Sequence, residues 1–179
     1  MKKYIALLRG INVGGHKSIK METLRNTFSE LPFQNVSTYI QSGNIIFNSA
    51  ESDQKALSDH IAAHIQKHFS FDVPVIVVTP IELKNIIGSN PFADRTTDDA
   101  VQPYIAFLSD DANPENLFEL EQIDFGKDEW RYGKKCLYIS YFDSAANTKL
   151  ENSLIERKLK VQSTVRNWKT VKKLLELST

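Results

Sequence analysis

Residues 2–48 read KKYIALLRGINVGGHKSIKMETLRNTFSELPFQNVSTYIQSGNIIFN, and the spacing of apolar residues in this stretch decides the fold. Residues 4–8 form an apolar run too short for a helix and closed by Arg9-Gly10, which predicts a buried strand. A loop containing Gly10, Gly14 and Gly15 follows. Beyond it Met21, Leu24, Phe28 and Leu31 recur at helical spacing, with Pro32 as a stop. Two strand-like runs come next, residues 35–40 and 44–48, and Gln41-Ser42-Gly43 between them predicts a hairpin. A second helical stripe (Leu57, Ile61, Ile65, Phe69) and an apolar run over residues 73–78 complete the order βαββαβ, the ferredoxin-like unit.

That order locates a candidate site. In this topology the first and second strands run parallel, so the loop leaving one and the hairpin leaving the other emerge at the same sheet edge. Residues 10–17 should therefore face residues 41–44. Glycines in such a loop permit positive φ and let a ligand approach the backbone, and the unpaired N–H groups opening a helix favour an anion. Arg9, His16, Lys17 and Lys20 add positive charge. The spacing is neither GxGxxG nor GxxxxGK[ST], so no nucleotide fingerprint is present. The candidate set is Arg9, Gly10, Asn12, Gly14, Gly15, His16, Lys17, Gln41, Ser42 and Asn44. In it Arg9 would clamp an anion bidentately, Lys17 would supply a point charge, and Ser42 and Asn44 would hydrogen-bond a sugar or amide group. The competing reading is plain turn chemistry, since Ser-Gly-Asn suits a hairpin and glycines suit a tight strand-to-helix turn.

The remaining sequence repeats the plan. Thr79-Pro80-Ile81-Glu82 has the form of a capping box with Pro at the first helical position, predicting a helix to about Ile87 that stops at Gly88. Residues 88–102 (GSNPFADRTTDDAVQ) are polar and rich in turn formers, a linker or a lid. Then come a strand over residues 103–108, a helix opening at Asn113-Pro114, and strands near residues 129–132 and 137–142 around Gly133-Lys134-Lys135. A helix over residues 150–159, a short strand over 161–165 and a last helix carrying Trp168, Val171, Leu174 and Leu175 follow. The expected fold is α+β, with two ferredoxin-like halves over residues 1–88 and 103–179, joined by residues 89–102, and an extra C-terminal helix. Residues 4–8 and 73–78 are apolar on both sides of the strand, so both sheet faces should be covered. No open aromatic sheet face with an RNA-binding signature appears.

LLRGINVGG, IKMETLR, TYIQSGNIIF and, much later, STVRNWKTVKKLLEL resemble the bacterial family known as domain of unknown function 1697, over almost the whole chain. The resemblance implies a fold of two related α/β halves and lends no mechanism.

The bulk numbers exclude several classes. Basic and acidic residues number 22 each over 179 residues, so a strongly basic nucleic-acid binder is disfavoured. The 41% hydrophobic and 25% charged content is that of a globular protein. Charge is segregated, however, with basic clusters over residues 1–25 and 149–173 and an acidic cluster over 94–129. A single cysteine, Cys136, in an apolar run reads as structural and as fitting a reducing, cytoplasmic compartment. No stretch is long enough to span a membrane.

His60, His64 and His68 recur every four residues, a spacing that can place a metal on one helix face. They border an apolar stripe with no companion Glu or Cys nearby in sequence, so they read as a half-buried flank and no metal is expected. Arg166, Asn167 and Lys169 make a secondary candidate, with Asn167 reading also as the cap of the last helix. Three functions fit: a module binding a small anionic, phosphorylated ligand; an enzyme on such a ligand using His16 or Lys17 as acid–base; or a protein or nucleic-acid interaction module. No cofactor and no oligomeric state are legible.

Overall fold

A computed structural model describes residues 1–95 and 102–179. Two compact units emerge, Met1–Leu83 with Leu174–Thr179, and Lys84–Lys173. The last helix, expected with residues 103–179, is thus divided between the two units at Lys173 and Leu174.

In the first unit β1 (Lys2–Leu8), α1 (Met21–Thr27), β2 (Gln34–Tyr39), β3 (Asn44–Ser49), α2 (Gln54–Phe69) and β4 (Val75–Val78) follow the expected βαββαβ order. The strands pair antiparallel in the order β2-β3-β1-β4, the ferredoxin-like arrangement. A single 3-10 turn, Phe28–Glu30, extends α1 and stops short of Pro32, whose ring cannot continue a helix. One sheet face packs Tyr4, Ala6, Leu8, Ile45, Phe47, Val75 and Val77 against Leu24 and Phe28 and against Leu57, Ile61 and Ile65 of α2. Ile5, Leu7, Ile46, Ile76 and Val78 point the other way and are buried too. The continuous apolar strands thus meet the expectation that neither face is open to water.

The second unit repeats the plan. Its strands β5 (Tyr104–Leu108), β6 (Glu129–Gly133), β7 (Cys136–Ser140) and β8 (Ser163–Asn167) pair in the order β6-β7-β5-β8. Helices α4 (Pro114–Glu121) and α5 (Asn152–Leu159) cover one face through Leu120, Ile155 and Leu159. The Asn113 side chain accepts the Glu115 N–H at 2.9 Å, capping α4 as the Asn-Pro signal predicts.

In chain order α3 (Pro80–Gly88) follows β4, and α6 (Trp168–Ser178) closes the chain. Residues 96–101 of the expected lid fall outside the described residues. The described flank, Ala93–Arg95, is a 3-10 turn whose Arg95 guanidinium lies 4.6 Å over the Phe92 ring and grips Glu129 at 2.5 and 3.3 Å. No helix among the described residues is long and apolar enough to cross a membrane.

Candidate functional site

Leu7 of β1 registers with Asn44 of β3, so the loop leaving β1 must start beside the hairpin that opens β3. The Leu8 N–H donates to the Gly43 carbonyl at 2.8 Å. The Asn12 side chain then locks the two segments. Its Nδ2 donates to the Gln41 carbonyl at 2.8 Å and to the Ile19 carbonyl at 3.0 Å, while its Oδ1 accepts the Ile19 N–H at 2.8 Å. Ile11 and Asn12, at the start of the loop over residues 10–17, therefore lie against the hairpin over residues 41–44, as the topology required.

The glycines act differently from the sequence expectation. Val13 and His16 form an isolated bridge, with the His16 N–H on the Val13 carbonyl at 3.1 Å and the Asn12 N–H on the Lys17 carbonyl at 3.1 Å. Gly14 and Gly15 between them have φ of +59° and +76°, the mark of a type I′ turn. The loop is thus a miniature hairpin of its own, and its tip is separated from α1 by five residues. Lys20 occupies the N-cap of α1 with no side-chain cap, and α1 is only 7 residues long. The glycine pair does not present a helix N-terminus.

The tip is open to solvent. Gly14, Gly15, His16 and Lys20 are exposed, and Val13 is 66% exposed. Lys17 is half-buried with φ +48°, and its ammonium donates to the Asp72 carbonyl at 2.5 Å. The Arg9 N–H donates to the Pro74 carbonyl at 3.0 Å. Residues 72–74 therefore form a third wall that sequence reading did not include.

Two members of the set are framework groups. Asn44 is fully buried, and its Nδ2 donates to the Tyr39 carbonyl at 2.9 Å and to Ser42 Oγ at 3.1 Å. These contacts hold the hairpin shut, as the turn-chemistry reading allowed. Asn12 has the same character. Gln41 lends its carbonyl to Asn12 and keeps its side chain exposed.

The secondary candidates lie elsewhere. Arg166 is 7% exposed, and its guanidinium donates to Thr164 Oγ1 at 2.8 Å and to the Val165 carbonyl at 2.9 Å. Burial pulls its pKa down to about 10, which leaves it cationic at neutral pH. Asn167 caps α6, accepting the Thr170 N–H at 2.8 Å, and the Lys169 N–H donates to Gln102 Oε1 at 2.9 Å. Cys136 is buried, and desolvation raises its thiol to about 11, as expected of a structural cysteine.

The histidines have a companion that sequence proximity hid. His68 Nε2 lies 3.1 Å from Glu30 Oε2, and His64 Nε2 lies 2.8 Å from the Thr27 carbonyl. The His64 and His68 rings are 4.4 Å apart, and His60 is exposed one turn earlier. Burial is the main cause that lowers the His64 pKa, keeping the ring neutral. For Glu30 desolvation pulls upward, but the hydrogen bond and charge of His68 and the charge of Lys67 outweigh it and lower the pKa. Glu30 sits 34 positions before His64. The usable signal was topological, because a βαββαβ unit lays both helices on one sheet face.

No curated protein matches the chain. The solved structure titled "The structure of conserved bacterial protein SP0830 from Streptococcus pneumoniae" is similar, with a TM-score of 0.78 at 22% identity, covering 99% of this chain and 98% of that one. At that identity the likeness shows a shared fold. The family model described as "Protein of unknown function (DUF1697)" matches residues 1–138, and the chain belongs to that family.

Proposed function

We propose that the protein is a binding module for a small anionic ligand, phosphorylated in the simplest case, received by the loop over residues 9–20 beside the hairpin over residues 41–44. The observation that carries this reading is the Asn12–Gln41 lock, which holds a loop bearing Arg9, His16, Lys17 and Lys20 against a second polar turn. Residues 1–20 contain no acidic side chain, so the formal charge of this segment is wholly positive. A Cβ built at Gly15 or Gly10 would meet nothing within 4 Å, so a ligand has room to approach the backbone there. Arg9 supplies a planar fork and Lys17 a compact charge, the pair of donors that suits a phosphoryl group.

The test is a thermal-shift series with inorganic phosphate and simple phosphate esters at low salt. A ligand of the folded state present at about 100 times its Kd adds about 2.7 kcal/mol, a rise of several degrees for a chain of this length. Arg9→Ala and Lys17→Ala should abolish the rise. Because Lys17 also ties down the Asp72 carbonyl, the ligand-dependent shift and not the starting Tm is the readout. No rise with any ester, or a rise that survives both substitutions, removes the proposed site.

A further inference from the structure

We propose that Glu30, His64 and His68 form a binding site for a divalent transition metal of the zinc class, with a fourth position left to water. One ligand atom from each of the three lies within 4.8 Å of the other two. In a tetrahedral site with metal–ligand bonds of about 2.0 to 2.1 Å, neighbouring donors are about 3.3 Å apart. The His68 Nε2 to Glu30 Oε2 separation of 3.1 Å already matches that edge. The remaining separations need at most about 1.5 Å of side-chain movement, the difference between the 4.8 Å bound and the tetrahedral edge.

The surroundings suit a metal. Two histidines at i and i+4 project from one face of α2, the standard way for a helix to offer two imidazoles. The Thr27 carbonyl can only accept, so His64 Nε2 carries the proton and Nδ1 is left with the lone pair. A backbone carbonyl gripping the far nitrogen of a ligating imidazole is what fixes ring orientation in metal sites. His68 lies in the last turn of α2, where the unpaired carbonyls favour positive charge. The donor set of two imidazoles and one carboxylate selects zinc-like ions over magnesium or calcium, which take oxygen ligands.

Access and competition are both visible. The Glu30 side chain is 50% exposed and that of His68 23%, so an ion can enter from solvent. Lys67 Nζ stands 3.6 Å from Glu30 Oε2, but its side chain is 71% exposed and can swing away. Once bound, the metal would staple the Phe28–Glu30 turn to α2, in place of the direct contact from His68 to Glu30.

The experiment uses tag-free, chelator-treated protein and zinc chloride alone as the probe, read by calorimetric titration and thermal shift. The expected result is one zinc per chain, a raised Tm, and no effect of magnesium at the same concentration. His68→Gln and Glu30→Gln should weaken binding at least tenfold with unchanged circular dichroism, while His60→Gln should bind as the parent does. Absence of saturable one-to-one binding overturns the site. So does full binding by either His68→Gln or Glu30→Gln, and so does an equal loss in His60→Gln, which would mark an adventitious surface pair.

Discussion

Gly43 has φ +80°, and a Cβ placed there would come within 2.6 Å of Ile11 Cδ1 and 2.8 Å of Leu8 Cβ. The residue thus meets two demands, a left-handed backbone and close contact between the hairpin and the loop that follows β1. Ile11 is buried against the core, so it cannot yield without disturbing its neighbours. Gly43→Ala should cost about 2 kcal/mol or more through strain and overpacking together. Urea denaturation would read this directly, and a loss below about 0.5 kcal/mol, the ordinary range of a surface change, would refute the close-packing account. The Ser-Gly-Asn run announced a turn, but nothing in the sequence told that Ile11 lies beneath the glycine. Asn12 was similarly opaque. Read as a ligand group, it proved to be a clamp with φ +55° and three hydrogen bonds to its own chain. An asparagine suits both uses, and only the folded loop distinguishes them.

At the level of elements, local codes were most readable where a residue satisfies a neighbour a few positions away. Thr79 and Glu82 form the reciprocal cap at the start of α3. The Thr79 N–H donates to Glu82 Oε2 at 2.7 Å, and the Glu82 N–H donates to Thr79 Oγ1 at 3.2 Å. Glu82 Oε2 also accepts the Thr79 hydroxyl at 2.8 Å and Gln54 Nε2 at 2.6 Å, which ties the first turn of α3 to α2. Thr79→Ala should therefore cost about 1 kcal/mol, the usual worth of a cap. Glu82→Ala should cost more, because three donors lose their acceptor in a partly buried place. The double variant should show a coupling energy of at least about 0.5 kcal/mol, and strict additivity would mean that the two residues do not act as one cap. Strands, helices and the βαββαβ order were equally legible, because burial on one face writes a period of two or about 3.6 into the sequence and burial on both faces of a strand writes a continuous apolar run. The glycine loop was not. A type I′ turn and a strand-to-helix turn both ask for glycine, and the five residues from Gly15 to Met21 carried no signal to separate them. Glu30 beside His68 was hidden for another reason, since their meeting depends on how α1 and α2 share a sheet face and not on spacing along the chain.

For the molecule as a whole, the ionisable groups buried or paired on folding define a pH window. At the acid side, Arg95 grips Glu129 and lowers its carboxyl pKa, and Glu30 is lowered in the balance described above. A depressed carboxylate adds stability that is complete above its ordinary pKa near 4.5 and is lost as pH falls through the folded value. Both carboxylates are well exposed, so this limb should be shallow and weakened further by salt. The alkaline limb should be steeper. Desolvation raises Cys136 from 9.0 to about 11 and also raises the Tyr138 and Tyr141 hydroxyls in the second unit. A raised acid gives the opposite sign. The folded state keeps its proton while the unfolded chain ionises, so stability is complete below pH 9 and falls as pH rises through 11. Urea midpoints should accordingly hold steady from about pH 7 to 8, ease below the ordinary histidine value of 6.5 because the unfolded chain protonates His64 first, and decline between 9 and 11, with Cys136→Ala losing part of that decline. In the same window the thiol should react with an alkylating reagent only as fast as the second unit opens, because the nucleophile is the thiolate and burial withholds it. A midpoint unchanged at pH 10.5, or a thiol in the native protein that labels at the rate of a free cysteine, would mean that β7 does not bury Cys136 in solution.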